Sequence, residues 1–158
     1  MPVTPNDQYR PNVAAIIVSS KYPQKSEIFI AERNDISDAW QFPQGGIDEG
    51  ETAKVALLRE LEEEIGTNDV SVVAEYPEWI TYDFPEAVQE KMKPFIGQSQ
   101  RYFLVRLKPS AKINIKTEHP EFSQYRFEGL STLFSTVSHF KRPIYKQVVK
   151  YFQKEGYL

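Results

Sequence analysis

A tight group of glycines running straight into a carboxylate-rich helix constrains this chain more than any other feature. Gln44-Gly45-Gly46-Ile47-Asp48-Glu49-Gly50 places three glycines in one short segment, which permits unusual backbone angles and close approach of another group. Glu51 to Ile65 follows with helical periodicity, and Gly66 is its terminator. With Glu60 set to zero on a wheel of about 100° per residue, Glu63 falls near −60° and Glu64 near +40°, so three carboxylates share a face. Leu58, Leu61 and Ile65 fall at roughly 100–160° and predict a stripe packed on a sheet, while Glu62, at about 200°, points to solvent. Like charges at neighbouring helical positions repel. Such a face is either solvated surface or a cation site, and the glycine loop, whose carbonyls can approach a ligand, favours the second. Mg²⁺ or Mn²⁺ would offset the repulsion, because hard divalent cations take carboxylate oxygens and keep waters that a phosphate can replace. Arg59 can pair with Glu63 or reach Glu51, bracing ligands that would otherwise drift.

The rest of the chain narrows the chemistry. It has no cysteine and only two histidines, which excludes disulfides, thiolate ligands and a cysteine nucleophile and disfavours a histidine-built zinc site. Any metal must be held by oxygen. Asp48 to Glu64 carries seven acidic residues against Lys54 and Arg59, a local charge of −5 in a chain of −3. The remainder is therefore mildly basic at +2, which suits a cation site with an anionic ligand arriving beside it. The 158 residues, 41% hydrophobic and 26% charged, predict one globular domain over residues 1–158. No apolar stretch approaches the roughly 20 residues of a membrane span, and Met1 to Arg10 is polar. A cytoplasmic protein without membrane contact is expected.

Asn12 to Ser19 reads as a buried strand, and Glu27 to Glu32 as its hairpin partner across the polar segment Ser20 to Ser26. Trp40 to Phe42 reads as a brief strand stopped by Pro43 and the glycine pair, with the glycine segment itself a loop. Val70 to Tyr76 and Gln100 to Lys108 read as strands, separated by a long segment that Pro85 and Pro94 interrupt. Tyr125 to Phe127 is a further short strand. A final helix runs from about Lys141 to Lys154, with Pro143 in its first turn. Strands alternating with one internal and one terminal helix imply an α/β layered domain around a mixed sheet.

Gly45, Glu51 and the run Arg59-Glu60-Leu61-Glu62-Glu63-Glu64-Ile65-Gly66 together resemble the signature box of the Nudix hydrolases, with Thr67 where the box usually ends in an aliphatic residue. The resemblance implies an α/β/α sandwich with a central mixed β-sheet and a Mg²⁺-dependent attack of water on a diphosphate linkage, with Mn²⁺ or another divalent cation as substitute. It also implies that Glu60, Glu63 and Glu64 bind metal, with a carbonyl of the Gly45 loop available to help, and that Glu51 and Arg59 brace the loop and helix. Relatives differ in which carboxylate acts as base. Glu64 is the choice here, with Glu60 as the alternative.

The flanks resemble, more narrowly, the branch of this family that acts on 5′-triphosphate RNA ends and on dinucleoside polyphosphates. They are Tyr9-Arg10-Pro11-Asn12-Val13, Trp40-Gln41-Phe42-Pro43-Gln44, Ile96-Gly97-Gln98, Gln100-Arg101-Tyr102-Phe103, Pro120-Glu121-Phe122 and Phe140-Lys141-Arg142. By that resemblance Glu121 is a fourth metal-site carboxylate or a candidate base. Arg10 is one of several basic residues outside the box that could reach phosphate; Arg33 and Lys141 contact phosphates in the branch, and Phe140 or Tyr82 offers a stacking surface. The expected reaction is conversion of a 5′-triphosphate RNA end to a monophosphate. Asymmetric cleavage of diadenosine tetraphosphate to ATP and AMP is the alternative, and a non-catalytic nucleotide-binding module would need the box carboxylates lost. No protein partner is indicated, and a monomer is expected because no unusually apolar surface helix is evident.

Overall fold

Alternation decides the architecture. In β1 (Tyr9–Val18) the side chains of Val13, Ala15 and Ile17 enter one apolar cluster and those of Ala14, Ile16 and Val18 another, so both faces of the strand are buried. The computed structural model describes residues 8–158, and among these eight strands form one mixed sheet. β1 runs parallel to β7 (Gly97–Leu107) over ten paired positions, and this pair is the spine. β2 (Glu27–Arg33), β3 (Trp40–Gln41) and β8 (Phe122–Gly129) extend the sheet on one side; β5 (Val70–Glu75) and β6 (Ile80–Asp83) pair with β7 on the other.

A helix covers each face. α1 (Ala53–Ile65) lays Ala56, Leu57, Leu61 and Ile65 on Val13, Ile17, Phe29 and Val105. α4 (Arg142–Lys154) lays Tyr145, Val148, Val149 and Phe152 on Ile16, Ile28, Tyr102 and Leu104. The mixed sheet flanked by helices is the sandwich that the sequence implied.

Several boundaries differ for local reasons. α1 begins at Ala53 because Thr52 caps it, its hydroxyl accepting from the Val55 amide; Glu51 lies before the cap. Gly66 ends the helix in the left-handed region at φ 76°, donating its amide to the Glu62 carbonyl. Gln44–Gly46, read as loop, is a strand, β4, whose three residues pair with Asn12, Val13 and Ala14. β2 touches β1 at Val18 and Ile28, but its long ladder is with β8, which extends well beyond Tyr125 to Phe127. The segment between β5 and β7 contains β6 and a short helix, α2 (Glu86–Lys91). A helix absent from the sequence reading, α3 (Leu130–Thr136), precedes α4. Thr67 is buried, and its hydroxyl accepts from the Asp69 amide, so the exchange for an aliphatic residue keeps its contact role.

Candidate active site

Strand β4 and helix α1 pass so close that only glycine fits between them. A Cβ on Gly45 would lie 1.9 Å from the Glu60 carboxyl carbon, far inside contact distance. Gly45 thus lets β4 meet a carboxylate directly, and the obstructing group is the free end of a side chain rather than backbone. Gly45→Ala is therefore expected to push the Glu60 carboxylate aside, lowering kcat/KM about tenfold or more with little change in melting temperature. Steady-state kinetics beside a thermal melt checks both halves.

Arg59 holds the acidic face together. Its guanidinium donates to Glu51 at 2.7 and 2.8 Å, to Glu60 at 2.9 Å, to Glu63 at 3.2 Å and to the Gly46 carbonyl at 2.9 Å. A planar five-donor fork can span these acceptors at once. It holds the Glu51 carboxyl down at about 2, assisted by the Asp48 amide. Arg59 in turn is held well above its ordinary pKa, first by Glu51 and then by Glu60.

Glu64 departs from the wheel's expectation. The wheel sets Glu64, near +40°, apart from the stripe that packs on the sheet, yet Glu64 is only 3% exposed. Neither of its carboxylate oxygens has a hydrogen-bond partner. Burial pushes its pKa well above the usual range, with Glu121 and Glu60 adding repulsion; proximity to the Gln44 amide opposes this without making a hydrogen bond of proper geometry. Burial also raises Glu60, against the pull of Arg59. Glu62 is exposed, as the wheel predicts.

Glu121 joins the group from the loop before β8. The Asn34 amide donates to the Glu121 carbonyl at 2.9 Å, and the Asn34 side chain to the Pro120 carbonyl at 2.7 Å, fixing the loop to the end of β2. Two hollows meet at these carboxylates. One, of about 380 Å³, is lined by Arg10, Arg33, Gln44, Gly45, Glu60 and Glu121, among others. The other, of about 330 Å³, is lined by Glu60, Glu63, Glu64, His119 and Glu121, among others.

Of the basic candidates, Arg10 lies over Gly46, where a Cβ would come within 2.3 Å of its guanidinium. It makes no hydrogen bond or ion pair among the described residues and borders the larger hollow. Arg33 also borders it, but its fork is closed on Asp35 at 2.6 and 2.8 Å. Lys141 does not border it. Sequence reasoning placed this ammonium on phosphate, whereas the structure turns it inward from the end of α4, leaving it 7% exposed. There it donates to Gln100 at 3.0 Å and Gln44 at 3.2 Å and lies 4.2 Å from the Tyr82 ring centre. Burial alone brings it down to about 7. Tyr82 and Phe140 sit edge to face, 5.6 Å apart, with Phe140 46% exposed.

The residues that the sequence reading passed over are the buried amides Asn12, Gln98 and Gln100. Part of their signal was present: Gln98 and Gln100, two apart on one strand, share a face, and burial there demands partners.

The residues fit a divalent cation. The two buried, unpartnered oxygens of Glu64 beside the carboxylates of Glu60, Glu63 and Glu121 and a glycine-segment carbonyl match the donors a hard ion takes. Among the described residues, no three such side chains already converge on one metal position; Arg59 engages two of the carboxylates instead.

The NUDIX domain model matches residues 8–150. The chain belongs to the NUDIX family. It is 60% identical to an RNA pyrophosphohydrolase of a Nitratiruptor species over 150 residues, 95% of this chain and 97% of that protein. It is 58% identical over 151 residues to an RNA pyrophosphohydrolase of Helicobacter pylori, covering 96% and 97% of the two. Among solved structures, an E. coli dihydroneopterin triphosphate pyrophosphohydrolase superposes with a TM-score of 0.70 at 18% identity, over 88% of this chain and 95% of that one, a likeness of fold. NUDIX hydrolases generally need divalent cations. Among the described residues, no helix is long and apolar enough to cross a membrane.

Proposed function

We propose that this chain removes pyrophosphate from the 5′-triphosphate end of RNA, leaving a 5′-monophosphate, as a single-domain, monomeric cytoplasmic enzyme using Mg²⁺, with Mn²⁺ or another divalent cation as substitute. The near-full-length identity of 60% to a protein named RNA pyrophosphohydrolase carries this reading. The carboxylate geometry supports it. Water adds to the phosphorus next to the nucleoside, the bond from that phosphorus to the bridging oxygen breaks, and pyrophosphate leaves.

The triphosphate's charge repels an incoming nucleophile, and the cation supplies shielding, a more acidic bound water and a stabilised leaving group. Glu60, Glu63, Glu64 and Glu121 would hold it, with a Gly45-loop carbonyl. Glu64 is the proposed base, buried beside the smaller hollow with both carboxylate oxygens unpartnered; Glu60 is the alternative. Arg10, whose guanidinium is uncommitted, would meet phosphate directly. Arg33, whose Nε and Nη2 are engaged by Asp35, would meet it through Nη1. The exposed Phe140, backed by Tyr82, offers a face to a base.

The test is parallel hydrolysis of 5′-triphosphate RNA and diadenosine tetraphosphate, with Mg²⁺ or with EDTA, reporting kcat/KM for each. Cation-dependent release of pyrophosphate with preference for RNA is expected. Preference for the dinucleotide would move the assignment to asymmetric hydrolysis yielding ATP and AMP, and no cation-dependent turnover of either would remove both.

A further inference from the structure

Behind the larger hollow lies a polar chain in which every amide is oriented by its neighbour. Lys141 Nζ carries only hydrogens toward its two acceptors, so the side chains of Gln44 and Gln100 must present Oε1 to it. Gln100 Oε1 also accepts from the Tyr102 hydroxyl at 2.8 Å, which leaves Gln100 Nε2 to donate to Gln44 Oε1 at 2.9 Å and to Asn12 Oδ1 at 2.8 Å. Asn12 must then donate to Gln98 Oε1 at 3.0 Å, and Gln98 to the Tyr82 hydroxyl at 2.5 Å. Ambiguity of amide orientation is removed at every link. The logic is that of the ammonium, which has three hydrogens and no lone pair with which to accept from an amide N–H.

One group is left over. Gln44 Oε1 is held by two donors, while Gln44 Nε2 has no hydrogen-bond partner among the described residues, and Gln44 borders the larger hollow, as Arg10 and Gly45 do. We propose that the Gln44 side-chain amide is a phosphate-binding donor of this site and that Lys141 is a positioning residue which keeps that amide's N–H₂ turned toward the ligand. This rests on the proposed polyphosphate chemistry. It assigns Lys141 an indirect role where sequence reasoning gave it a direct one. A buried ammonium with no carboxylate partner among the described residues is costly to keep. Holding one amide in one sense offers a functional reason for it.

The experiment uses the full chain with Gln44→Met, Lys141→Met and the double variant. It reads binding of inorganic tripolyphosphate in Mg²⁺ by titration calorimetry, kcat and KM on 5′-triphosphate RNA, and thermal melts. Gln44→Met is expected to weaken tripolyphosphate binding about tenfold and to raise KM for RNA more than it lowers kcat, as loss of a hydrogen bond to a charged group does. Lys141→Met should weaken both in the same sense but less, because Gln100 Nε2 remains as one of the two donors that hold Gln44 Oε1. The double variant should bind no more weakly than Gln44→Met alone, since Lys141 acts through Gln44.

Folding is expected to survive. Without Lys141, Gln44 Oε1 keeps Gln100 and Gln100 Oε1 keeps Tyr102 as donors. If Lys141→Met nonetheless melts early, Gln44→Met decides by itself. Unchanged binding in Gln44→Met, multiplied losses in the double variant, or no tripolyphosphate binding by the wild type would each overturn the proposal. A wild type that binds tripolyphosphate through Gln44 but leaves triphosphate RNA intact would overturn the proposed activity and leave this inference standing.

Discussion

Glu64→Gln is expected to lose at least about 10²-fold in kcat/KM while melting at a higher temperature than the wild type when divalent cations are absent. The two effects have one cause. Glu64 is buried with both oxygens unpartnered, so in the cation-free protein its charge is a burden that an isosteric neutral amide relieves, whereas with a cation bound that charge is the ligand. Because the folded state raises its pKa well above 4.5, the folded protein binds more protons than the unfolded chain between those two values. Its contribution to stability is full below about pH 4.5 and is lost as pH rises through the folded value. The cation-free wild type should thus lose stability on going from acid toward neutral pH by more than Glu64→Gln does. Saturating Mg²⁺ should raise the wild-type melting temperature, and raise it more at higher pH, where the carboxyl has already shed its proton. Thermal melts across pH with and without Mg²⁺, beside kinetics, test this. A variant of wild-type activity, or one less stable than the wild type without cation, would remove Glu64 from the centre of the site.

Arg59→Lys is the second large effect expected, a loss of about 10- to 100-fold in kcat/KM with a lower melting temperature. The substitution keeps the charge and removes the fork. A single ammonium cannot span Glu51, Glu60, Glu63 and the Gly46 carbonyl together, so the carboxylates regain their repulsion and the tie between loop and helix is cut. The Glu51 carboxyl, held down at about 2 mainly by this guanidinium, should titrate nearer the ordinary carboxylate range. NMR titration of the Glu51 side chain reads this directly, and an unmoved pKa would show that the Asp48 amide alone suffices.

Much of the site was legible from residue type and spacing because it lies within one local unit. Arg59, Glu60, Glu63 and Glu64 belong to a single helix that Gly66 caps, and helical periodicity fixes their relative directions whatever the rest of the chain does. Gly45 was legible as a place of close approach, though not that Glu60 is what approaches it. The sheet was partly legible: the apolar run Val13 to Val18 announced a strand buried on both faces, but the partnership of β2 with β8, nearly a hundred residues away, has no local signature. β4 was hidden for the same reason, since glycines that read as a loop pair in register with β1.

The sequence by itself determined much of the chemistry: no thiolate ligand, carboxylates on one helical face, a bracing arginine and a glycine segment admitting close contact. These follow from covalent composition and from the short-range geometry of one helix. The tertiary structure alone decided which charges are free and which are spent. It buried Glu64 without partners, left Arg10 open over Gly46, and drew Lys141 inside to orient a row of amides. Each outcome depends on what another strand or loop places within a few ångströms. Solvation and hydrogen-bond competition at that range come from residues far apart in the chain, and no reading of one segment contains them.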